Sequence, residues 1–228
     1  CSVSATFRAT VVPPPPPATY LVSTSVTGNG VGTITPGSAT VTSGETASFQ
    51  VAAATGSTLD SITGCGGALQ GSTYTTGAVT AACSISATFS LNRYTVTAVA
   101  GEGGSVTPES TDVEYGSVAR FAIAPDAGFE IDSAEGCEGA LDGTDYVTGP
   151  VTGDCGVTIS FVRQQFSITL NGTSGGSTSG DGTYLYGDEA TLTATVDSGH
   201  DFAGWFESGQ LVSPDPVYRF VVNGDRMI

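Results

Sequence analysis

The sequence predicts an all-β fold, or one very nearly so, assembled from small β-rich repeat modules in tandem. Three observations carry that expectation. First, one seven-residue stretch is written three times, as CSVSATF at 1–7, CSISATF at 83–89 and CGVTISF at 155–161. Its residues alternate: Cys83, Ile85, Ala87 and Phe89 point one way, and Ser84, Ser86 and Thr88 the other. That period of two marks a half-buried strand with its cysteine on the core face. Second, the sequence between the copies recurs at nearly the same spacing. This divides the 228 residues into three units, where length alone suggests one or two domains. Third, no stretch of ten residues carries a 3.6-residue apolar rhythm, and glycine and β-branched residues are too frequent for stable helices. One short helical turn is the most that residues 131–141 would hold.

In chain order, residues 1–8 match the last strand of an upstream repeat, and 9–19 form a proline-rich linker. Its five prolines, 13–17, favour the extended polyproline helix. At about 3.1 Å per residue they make a semi-rigid spacer of roughly 15 Å. Repeat 1 spans 20–92. It opens with a strand at 20–26, turns at Gly28-Asn29-Gly30 and is broken at Pro36-Gly37. A second strand follows Ser43-Gly44, with Ala47, Phe49 and Val51 on one face. Cys65 lies in a loop-like stretch, 64–69, and strands at 74–80 and 83–89 close the unit.

Repeat 2 spans 93–164 and answers almost line by line: Tyr94 for Tyr20, Pro108 for Pro36, Phe121 for Phe49, Cys137 for Cys65 and Tyr146 for Tyr74. Repeat 3 spans 165–228, and its Ala190, Leu192, Ala194 and Val196 alternate as their counterparts do. It has no cysteine. Because Ile228 aligns with Val157, this repeat is expected to be C-terminally incomplete.

Composition narrows the function classes. The chain has no lysine, six arginines and 22 carboxylates, for a net charge of −16. Nucleic-acid binding needs clustered cations, and an anionic membrane surface attracts them, so neither partner is expected. No run of 18 apolar residues is present, so no membrane insertion of this segment is expected. Acidity is read as solubility and self-repulsion. It is uneven: residues 20–93 carry two acids, 94–165 twelve and 166–228 eight.

Small units bury little surface and need staples or neighbours. Cys65 and Cys83, and likewise Cys137 and Cys155, are 18 residues apart at equivalent repeat positions. Of the three connectivities open to four cysteines, only pairing within each unit treats both repeats alike. A disulfide closing such a loop is worth about 3 kcal/mol. Zinc ligation is the competing use, but the paired spacing is missing and the chain has one histidine. Cys1 is left over, with a partner in an upstream repeat or in another chain.

In repeat 3 the run Tyr186-Gly-Asp-Glu-Ala-Thr-Leu-Thr-Ala, then Asp197-Ser-Gly-His-Asp-Phe-Ala-Gly-Trp-Phe206, resembles the internalin B-type repeat and its divergent relatives in bacterial surface proteins. The resemblance covers essentially residues 20–228 and is strongest at 184–206. It implies small β-grasp-like modules in tandem on secreted or surface-anchored bacterial proteins, usually without catalysis. Repeats 1 and 2 look like a disulfide-bearing variant with a cysteine near the Trp position. Trp205 is then a structural core aromatic.

No catalytic or cofactor-binding residue is expected. His200 sits at an aromatic position of the repeat, answering Phe129, and is read as a partly packed residue before a base. Trp205 with Tyr184, Tyr186, Tyr218 and Phe220 offers a sugar-stacking platform as the alternative to a small core. Carboxylates gather at Glu130, Asp132, Glu135, Glu138 and Asp142, and at Asp181, Asp188 and Glu189. Without a D-x-D-x-D-G loop they suit weak surface calcium and no dedicated metal site. Asn171-Gly172-Thr173 fits a glycosylation acceptor, and equally a hairpin turn.

The expected protein is thus a non-enzymatic, extracellular bacterial repeat region, a stalk, adhesin or filament component made stiff by intra-repeat disulfides in an oxidising compartment. One alternative is a carbohydrate- or ligand-binding accessory region of a secreted enzyme. Another is a filament subunit in which residues 1–7 complete repeat 3 of a neighbour by strand exchange. Self-association and a host or glycan surface are accordingly the partners in view.

Overall fold

The alternation of small polar and apolar residues becomes strand along most of the three repeats. A computed structural model describes residues 1–228 and contains 24 short strands and no helix. The chain forms two compact units, Cys1–Asn92 and Arg93–Ile228.

In the first unit lie β1 (Thr19–Gly28), β2 (Gly32–Thr35), β3 (Ser38–Thr42), β4 (Ser48–Ala53), β5 (Ser57–Gly64), β6 (Ala68–Gln70), β7 (Thr73–Thr75) and β8 (Cys83–Leu91). They make two four-stranded sheets, ordered β3-β1-β8-β5 and β2-β4-β7-β6. All neighbours are antiparallel except β1 and β8, which run parallel. The inward faces supply Val22, Phe49, Ile85, Ala87 and Phe89, all fully buried, with Tyr74 beside them.

The second unit opens with the same plan: β9 (Arg93–Ala100), β10 (Gly104–Thr107), β11 (Ser110–Glu114), β12 (Arg120–Pro125), β13 (Phe129–Gly136), β14 (Ala140–Asp142), β15 (Asp145–Val147) and β16 (Cys155–Arg163). Its sheets are β11-β9-β16-β13 and β10-β12-β15-β14, around Val96, Phe121, Tyr146, Val157 and Ile159. Pro36 and Pro108 are cis and stand where β2 gives way to β3 and β10 to β11. Proline has no N–H for a ladder, so the strand must break there.

Repeat 3 completes the second unit with β17 (Gln165–Thr169), β18 (Gly176–Ser179), β19 (Gly182–Leu185), β20 (Glu189–Val196), β21 (Trp205–Glu207), β22 (Gln210–Ser213), β23 (Val217–Val221) and β24 (Arg226–Met227). Its sheets are smaller: β19-β17-β24, β18-β20-β23 and the hairpin β21-β22. Ile168, Ala190, Leu192, Trp205, Val222 and Ile228 form its core. Repeats 2 and 3 are joined inside this unit. The Arg163 guanidinium donates to the Asp188 carboxylate at 2.9 Å and to the Tyr186 carbonyl at 3.1 Å. The Tyr186 ring lies against Gly128, where any Cβ would collide with it.

Three expectations are corrected. Residues 1–7 form no strand and are exposed, although their sequence repeats that of β8. A strand needs ladder partners, and the strands that flank β8 precede it in its own repeat. Residues 131–141 hold no helical turn; they are the end of β13 and the start of β14. Finally, the strand expected at 74–80 stops at Thr75. Beyond it the backbone bonds to loops: Gly77 N–H donates to the Cys65 carbonyl and Val79 N–H to that of Glu45.

Candidate functional site

What distinguishes each repeat chemically is how its last strand is tied to the chain before it. In repeat 1, β5 ends at Gly64, whose φ of 130° lies where side chains are strained. A Cβ there would also meet the carbonyl oxygen of Ser84. Glycine thus lets the end of β5 press against the start of β8. The following Cys65 has φ 48°, in a tight turn closed by Gly67 N–H donating to the Gly64 carbonyl at 3.1 Å. This brings Cys65 to Cys83, and the two are bonded, with Cα atoms 5.5 Å apart. The Tyr74 hydroxyl donates to the Gly64 carbonyl at 2.6 Å and braces the corner.

Repeat 2 reproduces every part. Gly136 has φ 126°, Cys137 φ 47°, and Gly139 N–H closes the turn on the Gly136 carbonyl. Cys137 is bonded to Cys155 across 5.7 Å between Cα atoms, and the Tyr146 hydroxyl donates to the Gly136 carbonyl at 2.7 Å. Cys1 is free and exposed.

Repeat 3 has an ion pair instead. Arg226 donates to Glu207 through both edges of its fork, Nε to Oε1 at 3.0 Å and Nη2 to Oε2 at 2.7 Å. Nη1 donates to the Tyr218 hydroxyl at 3.2 Å. The guanidinium carbon also lies 4.2 Å from the centre of the Phe220 ring, within cation–π range. Side-chain exposures of 16% and 31% make this the most sequestered ion pair of the chain. Hydrogen bonding to Arg226 holds the Glu207 carboxyl below its ordinary range, and the same partner raises Arg226. Sequence reading had no signal for this pair.

The remaining candidate residues do not converge. Trp205 is 5% exposed and packs edge-on against Phe202. A buried indole cannot stack on a sugar, and Arg226 covers one face of Phe220, so the aromatic platform is not formed. Trp205 does line a cleft of about 390 Å³ with Asn171, Thr178, His200 and Phe206, and its Nε1 is buried without a partner. His200 is exposed, its ring lying over Gly175. Of the candidate carboxylates, Asp142 pairs with Arg120, Asp188 with Arg163 and Glu189 with Arg219, while Asp132 accepts from the Ser160 hydroxyl. Nowhere do three His, Cys, Asp or Glu side chains gather in reach of one ion.

One module used three times is also what the comparison with known families finds. The sequence pattern of the divergent InlB B-repeat domain matches residues 22–93, 94–165 and 166–228. The chain belongs to the divergent InlB B-repeat family. Among solved structures, one described as the Bacillus anthracis TIE protein is similar, at 10% identity and a TM-score of 0.40, over 92% of this chain and 49% of that one. This chain therefore spans about half the length of that protein. No curated protein matches. In this B-repeat array no helix is long and apolar enough to cross a membrane.

The register of the B-repeats also locates what replaced the cysteines. Phe121, Cys137, Cys155 and Val157 are answered by Leu192, Ser208, Arg226 and Ile228, each 71 residues later. Ser208, with φ 51°, holds the left-handed turn position of Cys65 and Cys137. The expectation that the cysteine lies near the Trp position is thereby sharpened: Ser208 stands there, three residues after Trp205.

Proposed function

We propose that this B-repeat array is a non-catalytic structural region of a secreted or surface-displayed bacterial protein, a spacer that keeps its shape under load. The observation that carries the reading is the identical cystine corner in repeats 1 and 2. Each ties the last strand, which holds the core, to a turn 18 residues earlier. Such bonds persist in oxidising surroundings and are kept reduced in the cytosol of most bacteria, which supports a place outside the cell. A module of about 70 residues is marginal on burial alone, and covalent closure supplies what its core cannot. The carboxylates that the sequence singled out build no cleft with paired acids, and several of them engage arginines instead, which supports a role without turnover.

Pulling single molecules end to end tests this reading. Each cystine hides an 18-residue loop from the force, roughly 60 Å of extended chain. Reductant should therefore lengthen the unfolded chain by that amount for each of two repeats and lower their unfolding forces. Repeats that yield at the same force and length with and without reductant would refute the proposed role under tension.

A further inference from the structure

We propose that Arg226 and Glu207 are the staple of repeat 3, an ionic lock at the place where repeats 1 and 2 carry cystine, so that the array holds two kinds of lock, one opened by reductant and the other by acid.

Register carries the first half of the argument. In the parallel pairing of first and last strands, Val22 faces Cys83, Val96 faces Cys155 and Ile168 faces Arg226. The residue before confirms the alignment in the second unit. Asp154 Oδ1 accepts the Thr95 N–H at 2.8 Å, and Asp225 Oδ1 accepts the Ser167 N–H at 2.7 Å. Arg226 therefore departs from the same point of the same strand as the downstream cysteine. Its partner lies at the same upstream turn. Ser208 is 18 residues before Arg226, the separation of both cystines, and Glu207 is the residue next to it.

Geometry carries the second half. A bidentate fork in partly dry surroundings fixes orientation as well as distance, which a single surface contact does not. Phe220 and the Tyr218 hydroxyl on β23 hold the guanidinium from the side. The other charges on elements packed around the pair are already engaged: Asp225 with the Ser167 N–H, and Arg219 with Glu189. Glu207 is thus the one acid facing Arg226, and its protonation removes the charge that the lock uses. Because its carboxyl is held below the ordinary 4.5, the contribution is complete above that value. It falls away as the pH drops through the depressed one.

Trp205 is the sole tryptophan and lies in repeat 3, so its fluorescence in the full chain reports this lock. Urea unfolding followed at Trp205 should show Glu207→Gln and Arg226→Met each lowering the midpoint by about 1 M, and the double variant lowering it no further. The midpoint of the parent chain should fall between pH 7 and pH 3.5 by more than that of Glu207→Gln. Ser208→Cys with Arg226→Cys should form a disulfide and make the Trp205 transition sensitive to reductant. Additive losses in the double variant, or an unchanged midpoint for Glu207→Gln, would overturn the lock. Two free thiols at 208 and 226 under oxidising conditions would show that the two positions are not the cystine corner, and would equally sink it.

Discussion

Repeats 2 and 3 sit in one compact unit, share a register and bury equivalent residues, yet they close differently. Repeat 2 ends in a nine-residue strand, β16, anchored by Cys137–Cys155 and flanked on both sides. In repeat 3 the corresponding strand, β24, is anchored by an arginine. A disulfide works mainly by restricting the unfolded chain, worth about 3 kcal/mol for this loop. A charge-assisted bidentate pair works in the folded state, on the order of 1.5–3 kcal/mol, and answers to pH and salt. The difference teaches that the B-repeat needs closure at this corner more than it needs any one chemistry there. What stays constant is the carboxylate before the strand, Asp154 or Asp225, and the left-handed turn upstream.

The comparison is broken most severely at the core. Phe121→Ala in repeat 2 and Leu192→Ala in repeat 3 remove the same fully buried position. They are expected to cost about 3–5 and about 2–5 kcal/mol, read as lost hydrogen-exchange protection confined mostly to the repeat that carries the change. Next comes the covalent staple. Cys137→Ser with Cys155→Ser should cost about 3 kcal/mol and abolish the effect of reductant on β13 and β16 in the same measurement. Protection that still depends on reductant in that variant would mean the effect reaches repeat 2 from elsewhere.

A smaller effect separates the two tyrosines. Tyr146→Phe deletes the bond to the Gly136 carbonyl and should cost about 1 kcal/mol in thermal unfolding. Tyr218→Phe, which removes only the side support of Arg226, should cost less. Smallest of all, Arg120→Met frees Asp142 and Asp145 from an exposed double bridge and should leave the melting temperature unchanged.

Much of this was legible because β-structure writes itself with a period of two. Phe49, Val51, Phe121, Ile123 and Leu192 alternate in the sequence and are buried in the structure. Equal spacing of the cysteines in two repeats pointed to the same pairs that the structure bonds. Residues 1–7 misled because a strand pattern states which face would be buried and not whether a partner strand is present. Residues 76–80 misled because their irregular backbone, held at the buried Thr76 and Val79, is satisfied by loops, a solution that leaves no period. Arg226 was silent for a different reason. An arginine at a cysteine position looks like loss of the staple until the 71-residue offset shows what it faces.

The strands also decide what the arginines expose. Five of the six, Arg93, Arg120, Arg163, Arg219 and Arg226, lie within strands and form ion pairs with carboxylates. The sixth, Arg8, lies in the exposed stretch ahead of the prolines. With lysine absent, an enzyme that cuts after basic residues finds one open bond in the folded chain. Its first product is the array without residues 1–8, with all three repeats intact.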